Sequence, residues 1–319
     1  MDMKTIREIQ FSTRSNERML FPYFKNRHAL LLLAWFVGGE GCSIGEIKRS
    51  RYAGLLQKPI LKNLAKRYGD GRLTADRLLG YWPHFTELET YRITLGEWGP
   101  TGKWRWHQIS RPGGNLVIQL NFTNTHNHEY KRILRINPKQ SPFSFSGHPV
   151  SEKHNTLAWA RIDLDFDTGE ALIEEIQNDW IRDVISELKW VEQIKSEDRK
   201  DHFKWCDWRI EYISYYFNQV LKPHVGLWSE AMLSAAIWFL RKELGISKIY
   251  YHTFEWGNRL KGMTSDWAQP PRSIYTKLPK SFGFELTDEV PKFLLTKTKH
   301  RPTRRLLRNE PVRFYTLEV

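Results

Sequence analysis

The sequence predicts an α/β fold, with α+β as its variant, and three stretches carry the prediction. Residues 157–166 alternate, with Ala158, Ala160, Ile162 and Leu164 on one side and Trp159, Arg161, Asp163 and Asp165 on the other. That period of two is the mark of a strand. Asp167-Thr168-Gly169 supplies turn chemistry and residues 171–177 return, so 157–177 reads as a β-hairpin. Later, Ser229 can cap a helix over 230–243, Gly245 stops it, and 246–254 reads as a strand. Helix, glycine, strand is α/β grammar. Third, residues 91–95, 104–109 and 116–122 are short apolar or alternating runs broken by GEWGPTGK and RPGGN, which makes 90–136 β-rich.

The other elements fill in around these. Residues 1–20 are polar and irregular. Residues 27–37 and 55–68 read as helices, and Pro59 inside the second marks a helix start at its first position. Between them GGEGCSIGEIKRSR gives a glycine turn and a short helix with Lys48, Arg49 and Arg51, a pattern shared by helix-turn-helix units and by small helical subdomains. The stretch NPKQSPFSFSGHPVSEKHN reads as a connector, which places a soft boundary near 140–155. The chain then divides into 1–150, helical plus β-rich, and 151–319, an α/β domain with a basic tail. After the hairpin, Asn178 or Asp179 can cap a helix whose stripe is Ile181, Val184, Ile185, Leu188 and Val191. Residues 196–222 are charged, aromatic and helical in part.

The 319 residues carry a formal charge of +13. A polyanion, most naturally nucleic acid, is the expected partner. The tail from 297 to 313 offers Lys297, Lys299, Arg301, Arg304, Arg305 and Arg308 for phosphates. Lys103-Trp104-Arg105-Trp106-His107 mixes cations with rings that can stack on bases. The longest apolar run, 29–37, is too short to span a bilayer, which takes about 20 residues, and the first ten residues hold no apolar signal core. Cys42 and Cys206 form no disulfide framework or metal spacing. The expectation is a cytoplasmic protein without a membrane partner.

The chemistry gathers at EALIEEIQNDW, residues 170–180. Strict alternation puts Glu174 with Leu172 and Ile176, and Glu175 with Ile173 and Gln177, so the two acids face opposite ways. Glu175 with Gln177 is the site-facing pair and Glu174 the structural acid. A buried carboxylate without a cation has a raised pKa and suits a general base, whereas an arginine partner such as Arg161 makes it structural. Gln177 and Asp179 stand at a strand end, where α/β ligands collect. Thr253 and Glu255 close the later strand on the Ile249 and Tyr251 face, with His252 opposite. His126-Asn127-His128 sits in a polar loop with no third metal ligand, so no metal is expected. P-loop, GxSxG, HExxH and paired CxxC motifs are absent.

The order of elements over 157–290 resembles the GNAT acyltransferase fold. EAMLSAAIWFLRKELGISKIYYHTF resembles its central helix and following strand, and IYTKLPKSFGFEL its tyrosine to glycine-phenylalanine segment. EEIQNDW is also similar to an EIQSDW-type motif of large polyvalent proteins of phages and mobile elements. The resemblance covers somewhat under half of the chain. It implies Glu174 or Glu175 as base toward an attacking amine and Tyr275 as acid toward the leaving group. It also implies acetyl-CoA or another acyl donor, yet the pyrophosphate-cradling glycine loop is missing. Its nearest counterpart is Pro223-His224-Val225-Gly226-Leu227-Trp228, and Tyr275 stands eight residues before Gly283. The expected function is a transferase of an acyl or aminoacyl group, on or near nucleic acid. The alternative is a non-catalytic nucleic-acid-binding protein of a phage or mobile element. A third, ADP-ribosyl transfer, has only a strand-borne glutamate behind it.

Overall fold

The computed structural model describes residues 1–13, 19–99, 108–135, 143–145, 147–196, 211–263, 270–297 and 301–319. The fold is α/β. Its centre is an eight-stranded mixed sheet built from β1 (Leu20–Tyr23), β4 (Glu89–Trp98), β5 (Asn115–Asn121), β6 (Thr156–Asp165), β7 (Glu170–Gln177), β8 (Lys248–His252), β9 (Glu285–Thr287) and β10 (Phe314–Glu318). The order across the sheet is β1-β4-β5-β6-β7-β8-β10-β9. Every neighbouring pair is antiparallel except β7 and β8. A parallel pair needs a crossover, and the helices between residues 180 and 242 provide it. Strands β5 and β6 pair directly, so the boundary placed near 140–155 falls within one sheet.

The β6–β7 hairpin turns at Gly169, whose φ of 66° is a conformation other residues resist. One face of the sheet buries Ala158, Ala160, Ile162, Ile173, Ile176 and Tyr251 with the helices Arg27–Val37 and Trp228–Lys242. The other face buries Leu172, Tyr250, Trp256, Phe293, Leu307 and Phe314 in a smaller cluster. It lies under the helices Phe254–Leu260, Lys292–Thr296 and Arg301–Asn309.

A helical unit inserted between β1 and β4 is closed by a two-stranded ribbon, β2 (Cys42–Ser43) with β3 (Arg72–Leu73). It holds the short helix Ile44–Lys48, started by a Ser43–Glu46 capping box, and the helix Pro59–Tyr68. The expected helix over 55–68 is divided: Ala53–Gln57 is a 3₁₀ turn, and Pro59 opens the α-helix. His126 and His128 lie on the helix Asn124–Leu134, not in a loop. His126 is buried against Phe122 and Tyr216, while exposed His128 pairs with Glu129. The expected strand Trp104–Ile109 and the basic-aromatic run 103–107 lie wholly or largely outside the described residues. Among the described residues no helix is long and apolar enough to cross a membrane.

Besides His252, three histidines among the described residues are buried: His28 stacked on Phe282, His126 on Phe122, and His224 bonded to Tyr91. Burial pushes them down to about 4, about 3 and about 4. Their folded values lie below the unfolded value of about 6.5, so the unfolded chain takes up protons first as pH falls. Stability is expected to be full above about pH 6.5 and to drop steadily toward pH 4. A melting temperature flat between pH 7 and 4 would show these rings titrate normally.

Candidate functional site

Strands β7 and β8 pair over only four positions, from Glu170–Lys248 to Ile173–Tyr251, and then part. At the same point the β6–β7 ladder slips. Arg161 opposes Glu175, while Ile162 opposes Ile173, which leaves Glu174 as the extra residue of a bulge. The bulge overturns strict alternation. Ile173 and Ile176, three apart, share the large core, whereas Leu172 lies in the small one. Glu174 and Glu175 therefore both turn to the face of Arg161 and His252, and Glu174 does not share a face with Ile176.

Each carboxylate is fully engaged. Glu174 accepts from the Ser110 N–H at 3.1 Å, the Ser110 hydroxyl at 2.8 Å and His252 Nε2 at 3.0 Å. The His252 Nδ1 is buried with no hydrogen-bond partner, which assigns the proton to Nε2 and leaves the ring neutral. Burial pushes the Glu174 carboxyl up, but the His252 hydrogen bond and the nearby Lys261 and Arg161 hold it below its ordinary value. Glu175 pairs with Arg161, and Lys261 Nζ stands 3.8 Å away. Burial opposes the ionised form of Glu175 too, yet Lys261 and Arg161 hold it below its ordinary value. Two anions thus face two cations inside the fold. The arginine partner makes Glu175 structural by the criterion of its own chemistry.

Lys261 comes from the end of the helix Phe254–Leu260 and fills the crevice. Its ammonium donates to the Glu174 main-chain carbonyl at 3.1 Å, on the edge that β8 no longer covers. Close approach of that helix depends on Gly257, where a Cβ would lie 2.9 Å from the His252 Cβ. Tyr275 lies beneath Lys261, 5.6 Å from ammonium to ring centre, and its buried hydroxyl has no hydrogen-bond partner. Burial, with Glu175 adding to it, pushes the phenol well above its ordinary value.

At the rim a second group assembles around Asp179. This buried carboxylate accepts from Trp159 Nε1 at 3.1 Å, Gln177 Nε2 at 2.9 Å and Arg182 at 2.7 Å, and pairs with His148 Nδ1 at 2.8 Å. Burial raises its pKa, but the His148 bond leads the groups that bring it below the ordinary range. Asn178, not Asp179, caps the following helix by accepting from Ile181 N–H at 2.8 Å. His148 is 23 % exposed. Its next residues, Pro149 and Val150, line a cleft of about 770 Å³ with Thr94, Gln119 and His154.

The predicted residues divide accordingly. Glu174, Glu175, His252 and Tyr275 gather around Lys261, and Gln177 joins Asp179. Thr253 and Glu255 do not belong to the crevice, because β8 ends at His252. Thr253 caps the next helix and donates to the Arg313 carbonyl. Glu255, in the first turn of that helix, is exposed and pairs with Arg272. In the tail, Lys297 is tied to Asp165 and Asp167, Arg305 and Arg308 are exposed, Arg304 is half-buried, Arg301 opens the last helix and Lys299 lies outside the described residues. Sequence reasoning missed Lys261 and Ser110, which reach Glu174 from 87 and 64 residues away. His148 carried a signal only as a histidine in a proline-rich loop. Among the described residues no cluster of three metal-ligating side chains occurs.

At 223–228, the counterpart of the pyrophosphate loop, Lys25 bonds both the Gly226 carbonyl and Glu230, and Glu230 also accepts from the Asn26 N–H. Glu230 thus sets a negative charge in the first turn of the helix Trp228–Lys242, a like charge beside any anion at that helix start. No protein-family model, curated protein or solved structure matches the chain.

Proposed function

We propose that the chain is a GNAT-like transferase that moves an acyl or aminoacyl group to an amine where β7 and β8 part. The observation that carries this reading is the bulge at Glu174 beside the end of the β7–β8 ladder. It lies at the carboxyl ends of two parallel strands, the region where α/β sheets bind ligands, and Lys261 occupies the gap between them. Tyr275, a buried phenol without a partner, stands against Lys261. The His148–Asp179 pair stands just past the end of β7.

In this reading His148 takes the proton of the attacking amine, and Asp179 holds the imidazole in place. The amine nitrogen bonds to the acyl carbon, and the bond to the donor's oxygen or sulfur breaks. Tyr275 gives its proton to that leaving atom. Glu174 and Glu175, bound to His252 and Arg161, position the crevice. Because 223–228 lacks the glycine loop and Glu230 sets a negative charge in the first turn beside it, the donor is one whose recognition does not depend on a pyrophosphate there, and an aminoacyl ester meets that condition.

The test offers acetyl-CoA and aminoacyl-tRNA in parallel as donors, with a lysine-bearing peptide as acceptor, and reads transfer by mass spectrometry. Transfer from aminoacyl-tRNA with no thermal shift from acetyl-CoA is expected. Absence of transfer from both donors would end the transferase reading. The charge of +13 then favours the non-catalytic nucleic-acid-binding alternative.

A further inference from the structure

We infer that the exposed face of the helix Pro59–Tyr68 is a duplex-DNA-binding surface, separate from the crevice. Ile60, Leu61 and Leu64 anchor this helix to the core, and Lys62, Asn63, Lys66 and Arg67 stand exposed on the other side. Lys58, Lys62 and Lys66 are spaced four apart, which stacks like charges along one stripe and works against the helix. Several other surface cations are ion-paired: Lys25 with Glu230, Arg51 with Glu285, Arg132 with Glu129, Lys248 with Glu289. Among the described residues Lys48, Arg49, Lys62, Lys66 and Arg67 make no ion pair with a carboxylate. A row of repelling, uncompensated cations is what a polyanion would relieve.

The surroundings narrow the polyanion. The short helix Ile44–Lys48 and the helix Pro59–Tyr68 are joined through the 3₁₀ turn Ala53–Gln57, and the β2–β3 ribbon brackets them with one strand before and one after; two helices joined by a turn is the grammar of a helix-turn-helix. Ten residues make a helix about 15 Å long, and a B-form major groove about 12 Å wide admits it. The major groove of duplex RNA is too narrow for such an entry. Exposed Arg72 on the ribbon and Lys48 and Arg49 at the end of the short helix extend the positive surface. This inference does not rest on the transferase reading, since binding is measured without donor or acceptor.

The experiment is fluorescence anisotropy of the full chain with a short duplex DNA, the matching single strand and the matching duplex RNA, at about 50 to 200 mM salt. The wild type is expected to bind duplex DNA tightest. Each lost phosphate contact lowers the slope of log affinity against log salt by about 0.9. The triple variant Lys62→Ala/Lys66→Ala/Arg67→Ala should therefore lose about 2 to 3 from that slope. Arg305→Ala/Arg308→Ala, in the tail that offers the rival basic surface, is measured beside it. Because the altered side chains are exposed, the melting temperature serves as the folding check, and Lys62→Gln/Lys66→Gln repeats the test should the triple variant melt early. Unchanged affinity and slope in the helix variants, loss confined to the tail variant, or tighter binding of duplex RNA would each overturn the inference.

Discussion

Replacing Arg161 by Met is expected to lower unfolding free energy by about 3–5 kcal/mol. Arg161 is 1 % exposed and its partner Glu175 3 % exposed, so neither charge reaches water. Removing the guanidinium strands the Glu175 carboxylate in the interior with only Lys261 nearby. The cost is that of an uncompensated buried anion, not the net worth of the pair. Against a typical stability of about 5–15 kcal/mol it is a large fraction. The double variant Arg161→Met/Glu175→Leu is expected to regain much of the loss, because no unpaired anion remains and the two changes are strongly coupled. Lys261 limits the recovery, since Glu174 is then the remaining carboxylate beside it. Urea denaturation of the wild type, both single variants and the double variant closes the cycle. A single-variant cost below about 1 kcal/mol, the range of exposed pairs, would mean water reaches these charges.

The second large effect concerns turnover. His148→Ala is expected to slow transfer by about 100- to 10,000-fold, the contribution of a positioned general base. The loss should fall on kcat. Asp179→Asn should also lower the rate, because the buried amide cannot hold His148 as the carboxylate does. Stability gives the contrast: His148→Ala leaves the buried Asp179 with Trp159, Gln177 and Arg182 as partners, so it should lower the urea midpoint less than Asp179→Asn, which disturbs all of them. Full activity in His148→Ala would return the base role to another group, and the two glutamates would be the next to test.

Much of the frame was legible in the residues. The alternation at 157–166 gave the hairpin and both its faces, since one side of β6 lies in the core with Ala158 and Ile162 and the other carries Arg161 and Asp163. The helix, glycine, strand unit gave β8 as a strand; its parallel pairing with β7 came only with the fold. Arg161 was already the candidate cation for the acid pair. Strand ends were harder. Thr253 reads as a strand residue by its β-branch and as a helix cap by its hydroxyl, and the cap prevailed. The bulge was not legible at all, because one extra residue in a ladder is set by the partner strand and leaves no mark in the local pattern.

The sequence by itself determined the fold class, the hairpin, the crossover helix and the cluster of acids at EEIQND, all of them local patterns with a fixed period or a turn residue. The tertiary structure alone decided what the acids are for. Whether a carboxylate is a base or one half of a buried ion pair depends on which cation comes within a few ångströms. Lys261, His252 and Ser110 arrive there from 64 to 87 residues away along the chain. Burial and charge pairing are properties of neighbours in space, and a chain states its neighbours only once it has folded.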